Sequence, residues 1–206
     1  MPALDFARAA LPTLFTLLAL VYVTRMAGAE ARAGFSLSAS ARPGTVQHVT
    51  HSLFRTLRLA IWGVTVIRVP FPQFDSQIGV FPVLMHPALV LCGLALLLAG
   101  FVLCSYVHHY MAGDWRTGVE ERAETNLITS GPFARLRHPM FLGVVISQIG
   151  FFLALPSVFS LICLVAGIVA VIAQARFEEK ELARRFGAPY LAYLALTPGW
   201  LPRRGA

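Results

Sequence analysis

Charge is what this sequence has least of. Only 13% of its 206 residues are Asp, Glu, Lys or Arg, against about 25% in a typical soluble domain. A soluble globule or a nucleic-acid-binding domain needs more charged surface than that. Cysteine is also scarce: Cys92, Cys104 and Cys163 are odd in number and have no metal-ligand spacing. They read as small buried hydrophobes, not a disulfide framework or a metal site. His48 with His51, and His108 with His109, have no third ligand in a convincing pattern, so no metal is assigned. There is no internal repeat, low-complexity tract or interdomain linker, and the chain reads as one domain over residues 1–206.

Apolar residues are abundant, at 57% of the chain, with a mean hydropathy of +0.68. A membrane span takes about 20 mostly apolar residues. Five candidate runs follow: 11–24 (extended by 6–10), 53–69, 81–106, 140–155 and 158–174. The second is the weakest, since Arg55 and Arg58 lie in its first turns, from where they can snorkel to the headgroups. Lipid-exposed backbone must satisfy its own hydrogen bonds, so the runs predict helices; a barrel would need alternating polarity. A cleaved signal peptide is the competing reading of the first run, with Arg8 before it and Ala27-Gly28-Ala29 after it, but the remainder is itself membrane-like. The expectation is an all-α integral membrane bundle of about five transmembrane helices.

Five spans place the first loop, the third loop and the C-terminal tail on one side. Of the 17 basic residues, only Arg8 and Arg68 fall on the other. The positive-inside rule then makes the C-terminal tail cytoplasmic. Part of this charge serves topology and attraction to anionic lipid heads. The Ala-, Ser- and Gly-rich stretch 25–52, with several Arg, suits an amphipathic segment on the membrane.

Polar residues collect in the loop 108–138 and in the tail after Gln174. Ser130-Gly131-Pro132 marks a turn. Pro139 suits the first turn of a helix, which puts Arg137 and His138 at a helix N-terminus, where free N–H groups favour an anion such as a ligand carboxylate. Arg176, Glu179 and Lys180 share one face of a continuing helix. The fourth and fifth runs are separated only by Pro156 and Ser157, so they predict a tight hairpin. Its geometry sets Glu178 and Glu179 beside the Arg137-His138-Pro139 turn. On residue type alone, Arg137 is equally well a headgroup anchor, a Glu pair after a span is more often a solvated face, and Tyr190, Tyr193 and Trp200 are more often interfacial belt residues.

The string Leu127-Ile128-Thr129-Ser130-Gly131-Pro132-Phe133, then Arg137-His138-Pro139, an apolar hairpin, Glu178-Glu179, and Phe186-Gly187 with Tyr190 and Tyr193 resembles the isoprenylcysteine carboxyl methyltransferase and phospholipid methyltransferase superfamily. The resemblance covers about 115–202 and rests on several separated motifs in order. It implies an integral membrane methyltransferase using S-adenosylmethionine near the cytoplasmic face, with a hydrophobic or lipid-like substrate. It further implies Arg137 and Glu179 as catalytic residues. The cofactor would be held by Leu127, Thr129, Gly131, Pro132, Leu136, His138, Pro139, Phe141, Gly143, Glu178, Glu179 and Tyr190. In that picture the Glu pair takes the cofactor's ammonium or ribose hydroxyls, and His138 with the turn backbone takes its carboxylate. Phe141 and Tyr190 offer ring faces, Arg137 fixes an acidic substrate group, and Gly143 admits a ligand close to the helix.

Two positions depart from the family pattern: Phe141 stands where Tyr is frequent, and Thr125 where many members have His. Asp114-Trp115-Arg116-Thr117-Gly118-Val119 resembles bacterial members. The methyl acceptor stays open between a carboxylate, an amine and a thiol. A sterol-reductase-like protein using NADPH and a non-enzymatic membrane scaffold are the alternative readings. The first predicts nicotinamide binding and more spans; the second predicts a dispensable Glu pair.

Overall fold

The structure is a computed structural model that describes residues 2–33, 45–111 and 127–200. The stretch 114–119, Thr125 and part of the 25–52 segment lie outside the described residues.

The described residues are helical apart from turns and one isolated antiparallel bridge. Helix α1 runs Pro2–Ala33 and α2 runs Val46–Ile67, capped by the Thr45 side chain accepting from the His48 N–H. A one-turn helix α3, Phe74–Gln77, and a 3₁₀ turn at Pro82–Leu84 lead into α4, Pro87–Met111. A second 3₁₀ turn, Gly131–Ala134, precedes α5, Pro139–Ala154. Then come α6, Val158–Phe186, and α7, Ala188–Leu196.

Among the described residues, three helices are long and apolar enough to cross a membrane: Ala3–Thr24 within α1, Pro87–Met111 and Val158–Phe186. Helix α5 is apolar but has only 16 residues, or about 24 Å at 1.5 Å per residue, short of the roughly 30 Å hydrocarbon core. Helix α6 is longer than a crossing needs. Its apolar part ends at Gln174, and from Arg176 onward it is a charged extension beyond that apolar part.

The third run begins later than the sequence predicts. Residues 81–86 are not α-helical, and the stretch 78–81 pairs with the α5–α6 turn. The Phe81 N–H donates to the Pro156 carbonyl at 2.8 Å, and the Val158 N–H to the Gly79 carbonyl at 3.0 Å. Pro87, the first residue of α4, lacks the N–H that would carry the helix back over residues 81–86. Ser157 and Ser160 close a reciprocal cap on α6, which makes the two-residue connection a defined hairpin.

Helices α4 and α5 pack backbone against backbone. Gly93 meets Gly150 and Ala154, and Gly100 meets Gly143 and Ser147. A Cβ at Gly93 would lie 2.4 Å from the Ala154 nitrogen, and one at Gly100 2.4 Å from the Gly143 carbonyl oxygen. In lipid, where apolar burial gives helices little reason to associate, such small-residue seams supply the contact. Cys104 belongs to this seam and its thiol donates to the Met140 carbonyl. Of the cysteines only Cys163 is buried; Cys104 is half-buried, and Cys92 is exposed on the protein surface, contrary to the buried reading.

At the far end of α2, Arg68 and Arg8 converge on Asp75. Arg68 Nε and Arg8 Nη2 each donate to one Asp75 oxygen at 2.5 Å. These are the two basic residues that the charge asymmetry separates from the rest, and they lie at one end of the bundle.

Candidate functional site

At the other end, the α5–α6 hairpin brings Glu179 to the Arg137-His138-Pro139 turn, as the short connection predicts. Glu179 Oε1 accepts from Arg137 Nε at 2.9 Å and contacts His138 Nε2 at 2.9 Å. His138 is buried, and that burial holds its imidazole below the ordinary value against the opposing pull of Glu179. A neutral imidazole with its proton on Nε2 satisfies the contact as a donor. Arg137 is then the cation of the pair. Burial pushes the Glu179 carboxyl up, but its bond to His138 and the positive charge of Arg137 outweigh this and hold it below the usual range.

Arg137 is largely committed. Its Nη1 donates to the carbonyls of Leu194 at 3.0 Å and Thr197 at 2.5 Å. The Arg137 and His138 N–H groups donate to the Pro198 and Gly199 carbonyls. The turn amides expected to meet a ligand carboxylate are therefore occupied by the chain's own 198–199 segment. At the start of α5, Met140 and Phe141 keep amides with no place in the helix ladder.

The His138 ring stacks on Phe141 at 5.7 Å and lies 5.4 Å from Trp200. Tyr190 is buried beside Tyr193, and burial pushes both hydroxyls up to about 12. Tyr193 donates to the Phe133 carbonyl at 2.7 Å, and the Tyr110 hydroxyl pairs with Ser130 at 2.8 Å. These two tyrosines clamp the Ser130-Gly131-Pro132-Phe133 turn. Gly131 has φ +59°, and a Cβ there would run into the Tyr110 ring. Pro132 opens the 3₁₀ turn and its carbonyl accepts from Arg135 and Leu136. Leu127 and Leu136 are half-buried in this segment, and Thr129 is exposed.

Gly143 does not face the site. Its close approach is to α4, where a Cβ would meet Cys104 and the Gly100 carbonyl. The sequence signal for a close approach there is correct, but the partner is a helix. Glu178 also separates from its neighbour: it accepts from Gln174 Nε2 at 3.2 Å and has no ion pair among the described residues. Burial lifts its carboxyl to about 7, opposed by that N–H.

Arg176, Glu179, Lys180, Ala183 and Leu194 line a hollow of about 290 Å³. The face shared by Arg176, Glu179 and Lys180 therefore borders a shallow, open hollow. A larger hollow of about 500 Å³, lined by Ala9, Pro12, Thr13, Thr16, Leu17 and Val69, lies at the Arg68 end. It lies toward the opposite end of α2 from the Glu pair, so the smaller hollow is the one beside the polar cluster. Trp200, Tyr110 and the Leu194 and Thr197 carbonyls were not legible as site groups, because backbone acceptors and packing across long loops leave no local pattern.

The family model of phospholipid methyltransferases matches residues 78–189, more than half of the chain. The match contains the turn, the hairpin and both glutamates, and leaves α1, α2, Tyr190 and Trp200 outside. No curated protein matches the sequence. The hairpin that seats Glu179 on the Arg137-His138 turn thus lies wholly inside the matched region, and the chain belongs to the phospholipid methyltransferase family.

Proposed function

We propose that this protein is a membrane-embedded, S-adenosylmethionine-dependent methyltransferase acting on an amphipathic or lipid-like acceptor, similar in kind to the isoprenylcysteine carboxyl methyltransferases. It crosses the membrane about five times, with the Glu pair and the C-terminal tail on the cytoplasmic side. The single observation that carries this reading is Glu179, oriented by Arg137 and His138 at the wall of a hollow that also presents Arg176 and Lys180.

That donor set suits the cofactor's two opposite charges. Glu178 and Glu179 would take its ammonium or ribose hydroxyls in charge-assisted bonds. Arg176, Lys180 or the Met140 and Phe141 amides would take its carboxylate. The rings of His138, Phe141 and Trp200 offer faces to a sulfonium. When bound, S-adenosylmethionine supplies an electrophilic methyl group. The residues' task is to hold donor and acceptor in line and keep water out. Arg137 acts as a positioning residue in this scheme, because its Nε and Nη1 donors are spent on Glu179 and the Leu194 and Thr197 carbonyls. A carboxylate or thiolate acceptor needs no strong base, whereas an ammonium must first lose a proton.

The test is binding by calorimetry to detergent-purified protein, with S-adenosylmethionine and NADPH as separate titrants. Saturable binding of the first supports the reading. Binding of NADPH alone favours a reductase, and binding of neither to folded protein overturns the enzymatic reading. Transfer of labelled methyl to phosphatidylethanolamine vesicles, a prenylated cysteine or a long-chain thiol then identifies the acceptor class.

A further inference from the structure

Glu178 leads away from the polar cluster toward α2. Its Oε1 accepts from Gln174 Nε2, one turn back on α6. The Gln174 side chain is buried, and its Oε1 accepts from the Thr50 hydroxyl at 2.6 Å. Thr50 is also buried and lies 124 positions earlier, on α2, outside the family match. The Gln47 carbonyl also lies near the hydroxyl, at 3.1 Å, and the bond to the amide is shorter than that one.

This chain has a direction. A hydroxyl donating to one end of an amide makes that end the oxygen. The nitrogen must then face Glu178. An N–H aimed at a carboxyl favours its charged form, and the reversed amide would favour the acid. The other ionisable groups around Glu178 do not do this work. On α6, Glu179 is tied to Arg137 and to His138 at the head of α5. On α7, Tyr190 lies close enough for its hydroxyl to feel the Glu178 charge. On α2, His51 follows Thr50 and has Arg58 and His48 as its charged neighbours.

We propose that Gln174 and Thr50 are positioning residues for Glu178: the Thr50 hydroxyl locks the Gln174 amide, and the amide holds the Glu178 carboxylate ready for a cationic ligand. The inference rests on reading Glu178 as a cofactor-site group. It makes α2 a contributor to the site, although the family match begins after it.

The test is an infrared titration of the ligand-free, detergent-purified protein. The protonated-carboxyl band of Glu178 is identified by its loss in Glu178→Gln. Gln174→Met should raise the midpoint by about one pH unit, since the carboxylate loses its donor. Thr50→Val should raise it less, and Thr50→Ser should restore the wild-type curve. A merely structural role would lower thermal stability without moving the midpoint. If Gln174→Met does not fold, the Thr50→Val and Thr50→Ser pair carries the test. Curves for Gln174→Met and Thr50→Val that superimpose on wild type would overturn the proposal. Calorimetry with S-adenosylmethionine on the same samples separates the two levels: a Glu178→Gln protein that binds as tightly as wild type overturns the site reading itself, whatever the titration gives.

Discussion

Glu178 and Glu179 are neighbours in the chain whose carboxylates have opposite surroundings. Glu179 is compensated by Arg137 and bonded to His138, while among the described residues Glu178 has no ion pair and accepts from the neutral Gln174 amide. One step along a helix turns a side chain by about 100°, which is enough to send the two groups to different partners.

That difference gives the pair different pH behaviour. Glu178, at about 7, must be ionised to meet a cationic ligand. Affinity for S-adenosylmethionine is expected to rise with pH up to about 7 and level off above it. Below that it falls by up to about tenfold per pH unit. Glu178→Gln should flatten the profile. Binding that strengthens as pH falls from 8 to 6 would contradict this.

The same shift has a consequence for stability, with its own sign. Glu178 rises from an ordinary 4.5 to about 7 in the folded protein. The folded state therefore binds the proton more tightly, and stability is lost as pH rises from about 4.5 to 7. Glu178→Gln is expected to raise the melting temperature at pH 8 and to change it little at pH 4. Melting curves in detergent at the two pH values check this, and an equal shift at both would speak against it.

Asp75 is the shared partner of two arginines, and Arg68 is fully buried with both Nη atoms unpartnered among the described residues. Asp75→Asn strands a buried cation, a change that typically costs about 3–5 kcal/mol. Adding Arg68→Met should recover much of the loss, because the pair's removal is far milder than its breakage. A double variant no more stable than Asp75→Asn would show that the ion pair is not the cause.

The glycine seam predicts a graded series. Gly100→Ala places a Cβ 2.3 Å from Ser147 Oγ and 2.4 Å from the Gly143 carbonyl, whereas a Cβ at Gly63 meets nothing within 4 Å. Overpacking of this kind costs about 1–3 kcal/mol. Gly100→Ala should lower the yield of folded protein and its melting temperature, and Gly63→Ala should leave both near wild type. Equal behaviour would remove the seam from the account.

The sequence carries the meeting of Glu179 with the Arg137-His138 turn because that contact follows from a two-residue hairpin between two runs of known length. It also carries the separation of Arg8 and Arg68 from the other basic residues. It does not carry the Asp75 cluster or the Thr50–Gln174 bond, which depend on how helices distant in the chain rotate about their axes. Gly143 shows the same limit: its type signals a close approach, but only packing reveals that α4 fills it. The start of α4 at Pro87 escapes a hydropathy reading, since the apolar run continues back through residues 81–85, of which Val83 is 94% exposed and only Met85 is buried.

The most direct measurement is calorimetric binding of S-adenosylmethionine to detergent-purified wild type and Glu179→Gln, with folding of both verified by circular dichroism. The account predicts saturable wild-type binding weakened about tenfold or more by the substitution, or about 1.4 kcal/mol. Equal affinity in the two proteins, or no binding by folded wild type, would contradict it.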